Sequence, residues 1–341
     1  MKNIYTIIAA FIIYIVLPLR TIAQADPKQF FETDSVLHCK LSLGIGKFIR
    51  SRTNPKYLPA TFSCNMGDST VTEQIRIEAR GNVRRQICTV PPMKLNFHNT
   101  TSPTLYPLNS LKLVSPCFDN ATHEQLLLKE YLIYKMYNLL TEKSFHVRLV
   151  DITFSDSDEN KRSFEQHAFF IEDDKGLAKR NDCKSLKDLK LFSENTDHDQ
   201  MTLVALFEFM IGNTDWGVSQ NHNTTLIQSK EDSTSRPFVV PYDFDYSGLV
   251  NADYAVPSEG LDIENVRERY YLGFQRTPEE LDTVISVFNA RKDSIYALIN
   301  NFDLLTKKNR QDMIDYLEGF YKIINDKREL KFSVTDRARK Q

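Results

Sequence analysis

The sequence predicts an α+β protein, with strands gathered in the first half of the chain and helices in the second. Three observations carry that prediction. Between residues 72 and 80, TEQIRIEAR alternates Ile75 and Ile77 with charged neighbours, the period of a half-buried strand. From about residue 278, PEELDTVISVFNARKDSIYALINNF and KKNRQDMIDYLEGFYKIINDK read as long helices. Runs of strands followed by helices, without regular alternation, argue against a doubly wound sheet.

Taken in order, the chain opens with MKNIYTIIAAFIIYIVLPLRTIAQAD, where one Lys precedes an apolar run from Ile4 to Leu19. Ala23-Gln24-Ala25 supplies the small-x-small pattern of a signal-peptidase site, so residues 1–25 read as a signal peptide cleaved before Asp26. The apolar run is short for a bilayer span, and no later segment approaches that length. The mature chain is therefore expected to be exported (periplasmic, cell-surface or secreted) with no membrane span.

Residues 26 to about 115 read as β-rich, with further strands in PPMKLNF (91–97) and SLKLVS (110–115). Between the first strands, RGNVRRQICT holds a Gly81-Asn82 turn and concentrates Arg80, Arg84 and Arg85. A helix over 122–143 opens on Thr122 as N-cap, with Gln125 completing a capping box. Its Leu127, Tyr131, Tyr134 and Met136 belong to a broad apolar face suited to core packing. HVRLVDITFSD (146–156) and EQHAFFIED (165–173) form a hairpin, and the Lys/Asp-rich stretch 173–200 reads as a surface excursion. MTLVALFEFMIG (201–212) is a buried helix ending at Gly212, followed by short strands at 225–228 and 237–244. This order divides the mature chain into a β-rich part with one long helix, 26–172, and a mainly helical part, 173–341.

The formal net charge of −2 lacks the basic excess that nucleic-acid binding needs, so no nucleic-acid partner is expected. Five cysteines are spaced too widely for a zinc site, and export favours disulfides. Cys88 and Cys117 flank the same β-region and are the expected pair.

The chemistry concentrates in IGNTDWGVSQNHNTTLI (211–227) and FVVPYDFDYSG (238–248). Phosphoryl transfer needs a divalent cation on hard oxygen ligands, a carboxylate to orient the acceptor hydroxyl, and a cation on the phosphates. Asp215 follows a buried helix, with Asn221 and Asn223 close behind it. A hairpin later, Asp243-Phe244-Asp245 puts two acids at a strand end, where packing does not explain them. Polar loops of this kind also arise as helix caps and Asx-turns; the two together favour a site. Trp216 reads as a wedge against the core, and His222 as an exposed or structural histidine.

RGN…PPMKLNF, LKEYLIYKMYNLL, IGNTDW…HNTTLI and PYDFDYSGLVNADYA together resemble the spore coat protein H (CotH) kinase-like family, in a divergent exported bacterial branch. The likeness is scattered over residues 72–257, and the last two motifs are the specific ones. It implies an atypical protein-kinase-like two-lobed fold, with a β-rich smaller lobe before a mainly helical lobe. It implies transfer of the ATP γ-phosphate to protein Ser or Thr with Mg²⁺ or Mn²⁺. Position by position, Asp215 becomes the catalytic-loop Asp, and Asn223 or Asn221 the metal-binding Asn, beside Asp243 and Asp245. Lys94 would hold phosphates and pair with Glu130, with Lys112 as its rival. Arg80 or Arg84 would meet the nucleotide, and Glu172 would stand at the adenine.

Two departures from the family pattern matter. No G-x-G-x-x-G loop is present, and Gln220 stands where a kinase Asn follows its Asp by five residues. They leave room for a non-catalytic, pseudokinase-type binding protein. Asp243-x-Asp245 also allows a metal-dependent glycosyltransferase, although the opening βαβ units of a nucleotide-sugar domain are missing.

Overall fold

The structure is a computed structural model describing residues 27–33, 35–67, 69–186 and 189–340, so the signal-peptide expectation lies outside the described residues. The first part of the chain runs α1 (Pro27–Glu32), β1 (Leu37–Leu43), α2 (Ile45–Arg50), β2 (Leu58–Met66), β3 (Ser69–Ala79), α3 (Val83–Ile87), β4 (Met93–Asn96), β5 (Ser110–Val114), α4 (Ala121–Leu140), β6 (Val147–Asp156) and β7 (Phe164–Ile171). The remainder holds α5 (Asp174–Arg180), β8 (Cys183–Ser185), α6 (His198–Ile211), β9 (Thr224–Ser229), β10 (Phe238–Pro241), α7 (Pro278–Asn300), α8 (Lys307–Asn325) and α9 (Lys327–Leu330).

The β-rich part corrects the expected two-lobed kinase-like fold. Its seven strands close into one barrel in the order β1-β2-β3-β4-β5-β7-β6, in place of an open sheet lobe. Closure comes from β6 pairing β1 in parallel, Leu37 against Val150 through Leu43 against Asp156. That contact joins residues more than a hundred positions apart, so no local periodicity announces it. Closing the sheet removes exposed edges. Alternate residues then point inward: Leu41, Phe62, Ile77, Leu95 and Phe170 fill the interior and are wholly buried.

Outside the barrel, α4 lies between the outer faces of β6 and β7 and the helix α7. A second core forms there, where Leu132, Met136, Phe169, Phe207, Phe288 and Phe320 are fully buried. Asn120, not Thr122, caps α4, its side chain accepting from the His123 N–H at 3.0 Å. The expected surface excursion at 173–200 contains α5 and β8, and β8 joins β9 and β10 as a three-stranded sheet. Among the described residues, no helix is long and apolar enough to cross a membrane.

Candidate functional site

Three local devices bring the two polar loops together. The first is the end of α6. Gly212 adopts a left-handed φ of 66°, which ends the helix and turns the chain toward Asn213. The Asn213 side chain then accepts the Asp215 N–H at 3.0 Å. The second is a one-bridge hairpin in which Gly217 and His222 exchange both backbone bonds at 2.9 Å, folding His222 back over Asp215. The third is the β9–β10 hairpin. Thr224 opposes Pro241, and the Tyr242 N–H donates to the Asn223 carbonyl at 2.9 Å, so the residues flanking the hairpin meet.

Asp215 is held at both carboxylate oxygens. His222 Nε2 lies 2.8 Å from Oδ1, and Asn223 Nδ2 donates to Oδ2 at 3.0 Å and to the Asp215 carbonyl at 2.7 Å. Asn221, Asn223 and Asp243 all have positive φ, 51°, 51° and 67°. For Asp243 that conformation costs on the order of 1 kcal/mol, the kind of strain that concentrates at functional sites. The Tyr134 hydroxyl compensates in part by accepting the Asp243 N–H at 2.8 Å.

These residues surround a cavity of about 350 Å³, lined among others by Arg80, Arg84, Asp215, Asn223, Asp243 and Asp245. Arg84 comes from α3, which the Cys88–Cys117 disulfide ties to the chain after β5, the pairing expected from sequence. Its Nη2 donates to the Ser115 carbonyl at 2.6 Å; its Nη1 lies 3.3 Å from Glu130 Oε2 and 3.8 Å from Asp245 Oδ2. Burial works against the Arg84 charge, but Tyr254, Glu130, Asp245 and Asp243 outweigh it and raise its pKa, so the guanidinium stays charged. Burial pushes Glu130 well above the usual carboxylate range despite Arg84. Asp245 is pushed up to about 6 by burial and then by Asp243, with Arg84 and a 3.1 Å bond from the Tyr254 hydroxyl opposing.

The expected site residues divide cleanly. Asp215, Asn221, Asn223, Asp243, Asp245 and Arg80 line one cavity. Glu130 stands behind it, but its cation is Arg84 and not the expected Lys94. Lys94 faces Lys112 across β4 and β5 and does not line the cavity. Lys112 is half-buried against the faces of Tyr242 and Phe145, 3.5 Å from Asp174, and desolvation lowers its pKa. Glu172 is likewise away from the cavity, taken up by Arg180 at 2.9 Å. Trp216 is buried in the second core as a wedge.

Sequence reasoning undervalued His222 and missed Tyr134 and Tyr254. Tyr254 lies in the quoted PYDFDYSGLVNADYA, and a polar tip nine residues after Asp245 was the available signal. For Tyr134, set among apolar neighbours on α4, no local signal exists.

A divalent cation fits this donor set only in part. Among the described residues no three His, Cys, Asp or Glu side chains form a cage on their own. Asp243 and Asp245 nevertheless stand together, no described side chain bonds the Asp243 carboxylate, and their repulsion is the charge a cation would neutralise. Mg²⁺ is commonly held by one or two carboxylates with phosphate and water completing its shell. A second cavity of about 610 Å³ shares Asp215 and His222 with the first. Neither a family model nor a curated protein matches the chain.

Proposed function

We propose that this chain is a divalent-metal-dependent phosphotransferase that moves the γ-phosphoryl group of ATP to a protein Ser or Thr hydroxyl outside the cytosol. Kinship with the CotH kinase-like family belongs to the same proposal. The observation that supports it is the meeting of Asp215, Asp243, Asp245, Asn223, Arg80 and Arg84 around one cavity. The site carries the argument, since a barrel scaffold by itself prescribes no chemistry.

In this reading Arg80 and Arg84 face the phosphates, and Asp243, Asp245 and Asn223 or Asn221 would hold the metal. The metal, when bound, neutralises charge on the transferring phosphoryl group. The acceptor enters through the second cavity, which Asp215 and His222 also line. Asp215, fixed by His222 and Asn223, takes the hydroxyl proton. The hydroxyl oxygen bonds to the γ-phosphorus as the bond from that phosphorus to ADP breaks. Orientation is what His222 and Asn223 contribute, because both carboxylate oxygens are held before substrate arrives.

One observation favours a non-catalytic, nucleotide-binding reading: those same two bonds already occupy Asp215. A DxD glycosyltransferase is disfavoured, since the chain opens with a closed barrel and not with the alternating βαβ units of a nucleotide-sugar domain.

Thermal unfolding with ATP or a UDP-sugar, with and without Mn²⁺, separates the readings. Saturating ATP–Mn²⁺ at about a hundred times its Kd should stabilise the native chain by about 2.7 kcal/mol. Asp243→Ala should lose that gain. Asp215→Asn should keep it while transfer of labelled γ-phosphate falls by roughly 10²–10⁴-fold. No shift with ATP sinks the proposal, and a shift without transfer in the native chain leaves the binding reading.

A further inference from the structure

Three cysteines lie outside the Cys88–Cys117 bridge, and two of them face each other inside the barrel. Cys39 on β1 is the register partner of Cys64 on β2, the two strands being antiparallel. Directly opposed residues in an antiparallel pair have Cα atoms about 4.5–5.5 Å apart. Disulfides form between Cα atoms about 4.4–6.8 Å apart, provided the Cβ vectors point the same way. Here they do: Cys39, with Leu41 and Leu43, and Cys64, with Phe62 and Ala60, all point into the barrel core. The third cysteine, Cys183, belongs to the other core.

From this register and shared inward face, we infer that Cys39 and Cys64 form a second disulfide, stapling β1 to β2 across the strand that closes the barrel. β1 is also the strand that β6 pairs in parallel, so the staple would tie the closing seam to the antiparallel meander. The inference is independent of the proposed phosphotransfer.

The reaction needs an external disulfide as oxidant. One thiolate attacks a sulfur of that disulfide, forming a mixed disulfide and releasing one external thiol. The second thiolate then displaces the other external thiol. Two protein thiols are oxidised and one external disulfide is reduced, with both protons leaving to solvent or to the released thiolates. Cys64 suits the first attack: its hydrogen bond with Cys39 lowers its pKa, whereas burial raises that of Cys39. Both cysteines are buried in the folded barrel. The external disulfide therefore reaches the pair while the chain folds, before the barrel closes over it.

The test uses the full chain with oxidised glutathione, applied both to the folded protein and during refolding from denaturant. The sample is then alkylated in denaturant without reductant and mapped by mass spectrometry. Cys183 should be the only alkylated cysteine, and a peptide linking Cys39 to Cys64 should appear. The oxidised form should melt roughly 5–10 °C above its Cys39→Ser/Cys64→Ser variant. Alkylation of Cys39, Cys64 and Cys183 alike after both treatments would overturn the inference. So would Cys39 or Cys64 linked to Cys183 or held only as a glutathione mixed disulfide. The wild-type mapping needs no variant to fold.

Discussion

Two buried arginine–glutamate pairs in this molecule share their chemistry and differ in how completely it is satisfied. Arg180 and Glu172 are closed upon each other. Arg180 Nε and Nη2 donate to the Glu172 carboxylate at 3.2 and 2.9 Å, the His146 N–H adds a further donor at 3.2 Å, and Arg180 also caps the carbonyls of Glu142 and Ser144. Arg84 and Glu130 are left incomplete. Arg84 Nε and Glu130 Oε1 are buried without a partner, and Arg84 Nη1 is shared between Glu130 and Asp245. A saturated buried pair holds structure together. An unsaturated one beside a cavity retains bonding capacity for something else, at a cost of about 1–3 kcal/mol for each orphaned group.

The sharpest way to break that distinction is to remove each cation at nearly constant volume. Arg84→Met and Arg180→Met should each cost about 3–5 kcal/mol in chemical denaturation, because each leaves a buried carboxylate uncompensated. Arg84→Met falls at the low end if Glu130, already raised by burial, takes up a proton. The pairs should part in ligand response. Arg84→Met should lose stabilisation by ATP–Mn²⁺, while Arg180→Met should keep it. Loss in both variants would place the two pairs in one functional unit and end the comparison. A smaller effect, about 1 kcal/mol, is expected for Glu130→Gln, which keeps a neutral acceptor for Arg84 Nη1. Its ligand response should weaken and not vanish, since Asp245 still holds Arg84.

The same contrast explains what the sequence makes legible. Asp215, Asn223, Asp243 and Asp245 could be read because each sits in a loop bounded by strong local signals: Gly212 ending α6, and an apolar hairpin between the two clusters. The choice among Arg80, Arg84 and Arg85 could not, since all three share one short stretch. What turns Arg84 inward is the brief helix α3 and its Cys88–Cys117 tether to the chain near Ser115. Lys94 and Glu172 misled for the complementary reason. Each lies on a well-read element, yet its partner is set by barrel register or by α5, which the patterning of 173–200 does not reveal. Barrel closure was invisible in the same way, because β1 and β6 meet only in three dimensions.

The finest test concerns pH. Burial pushes the Glu172 carboxyl above its ordinary 4.5, with Arg180 opposing but not prevailing. A folded-state pKa above the unfolded one means more protons are bound in the native state. Glu172 therefore contributes stability that is complete below about pH 4.5 and is lost as pH rises through its folded value. Glu172→Gln removes that titration. The wild-type stability minus that of the variant, from urea midpoints at successive pH values, should fall from pH 4 upward and then level off. Glu130→Gln should show the same sign over a window reaching to higher pH, because burial raises Glu130 further with fewer bonds to hold its charge. If the Glu172 difference instead grows with pH, Arg180 outweighs burial and depresses the Glu172 pKa. The saturated pair would then be a stabilising ion pair, and its distance from the Arg84–Glu130 pair would be larger than burial alone implies.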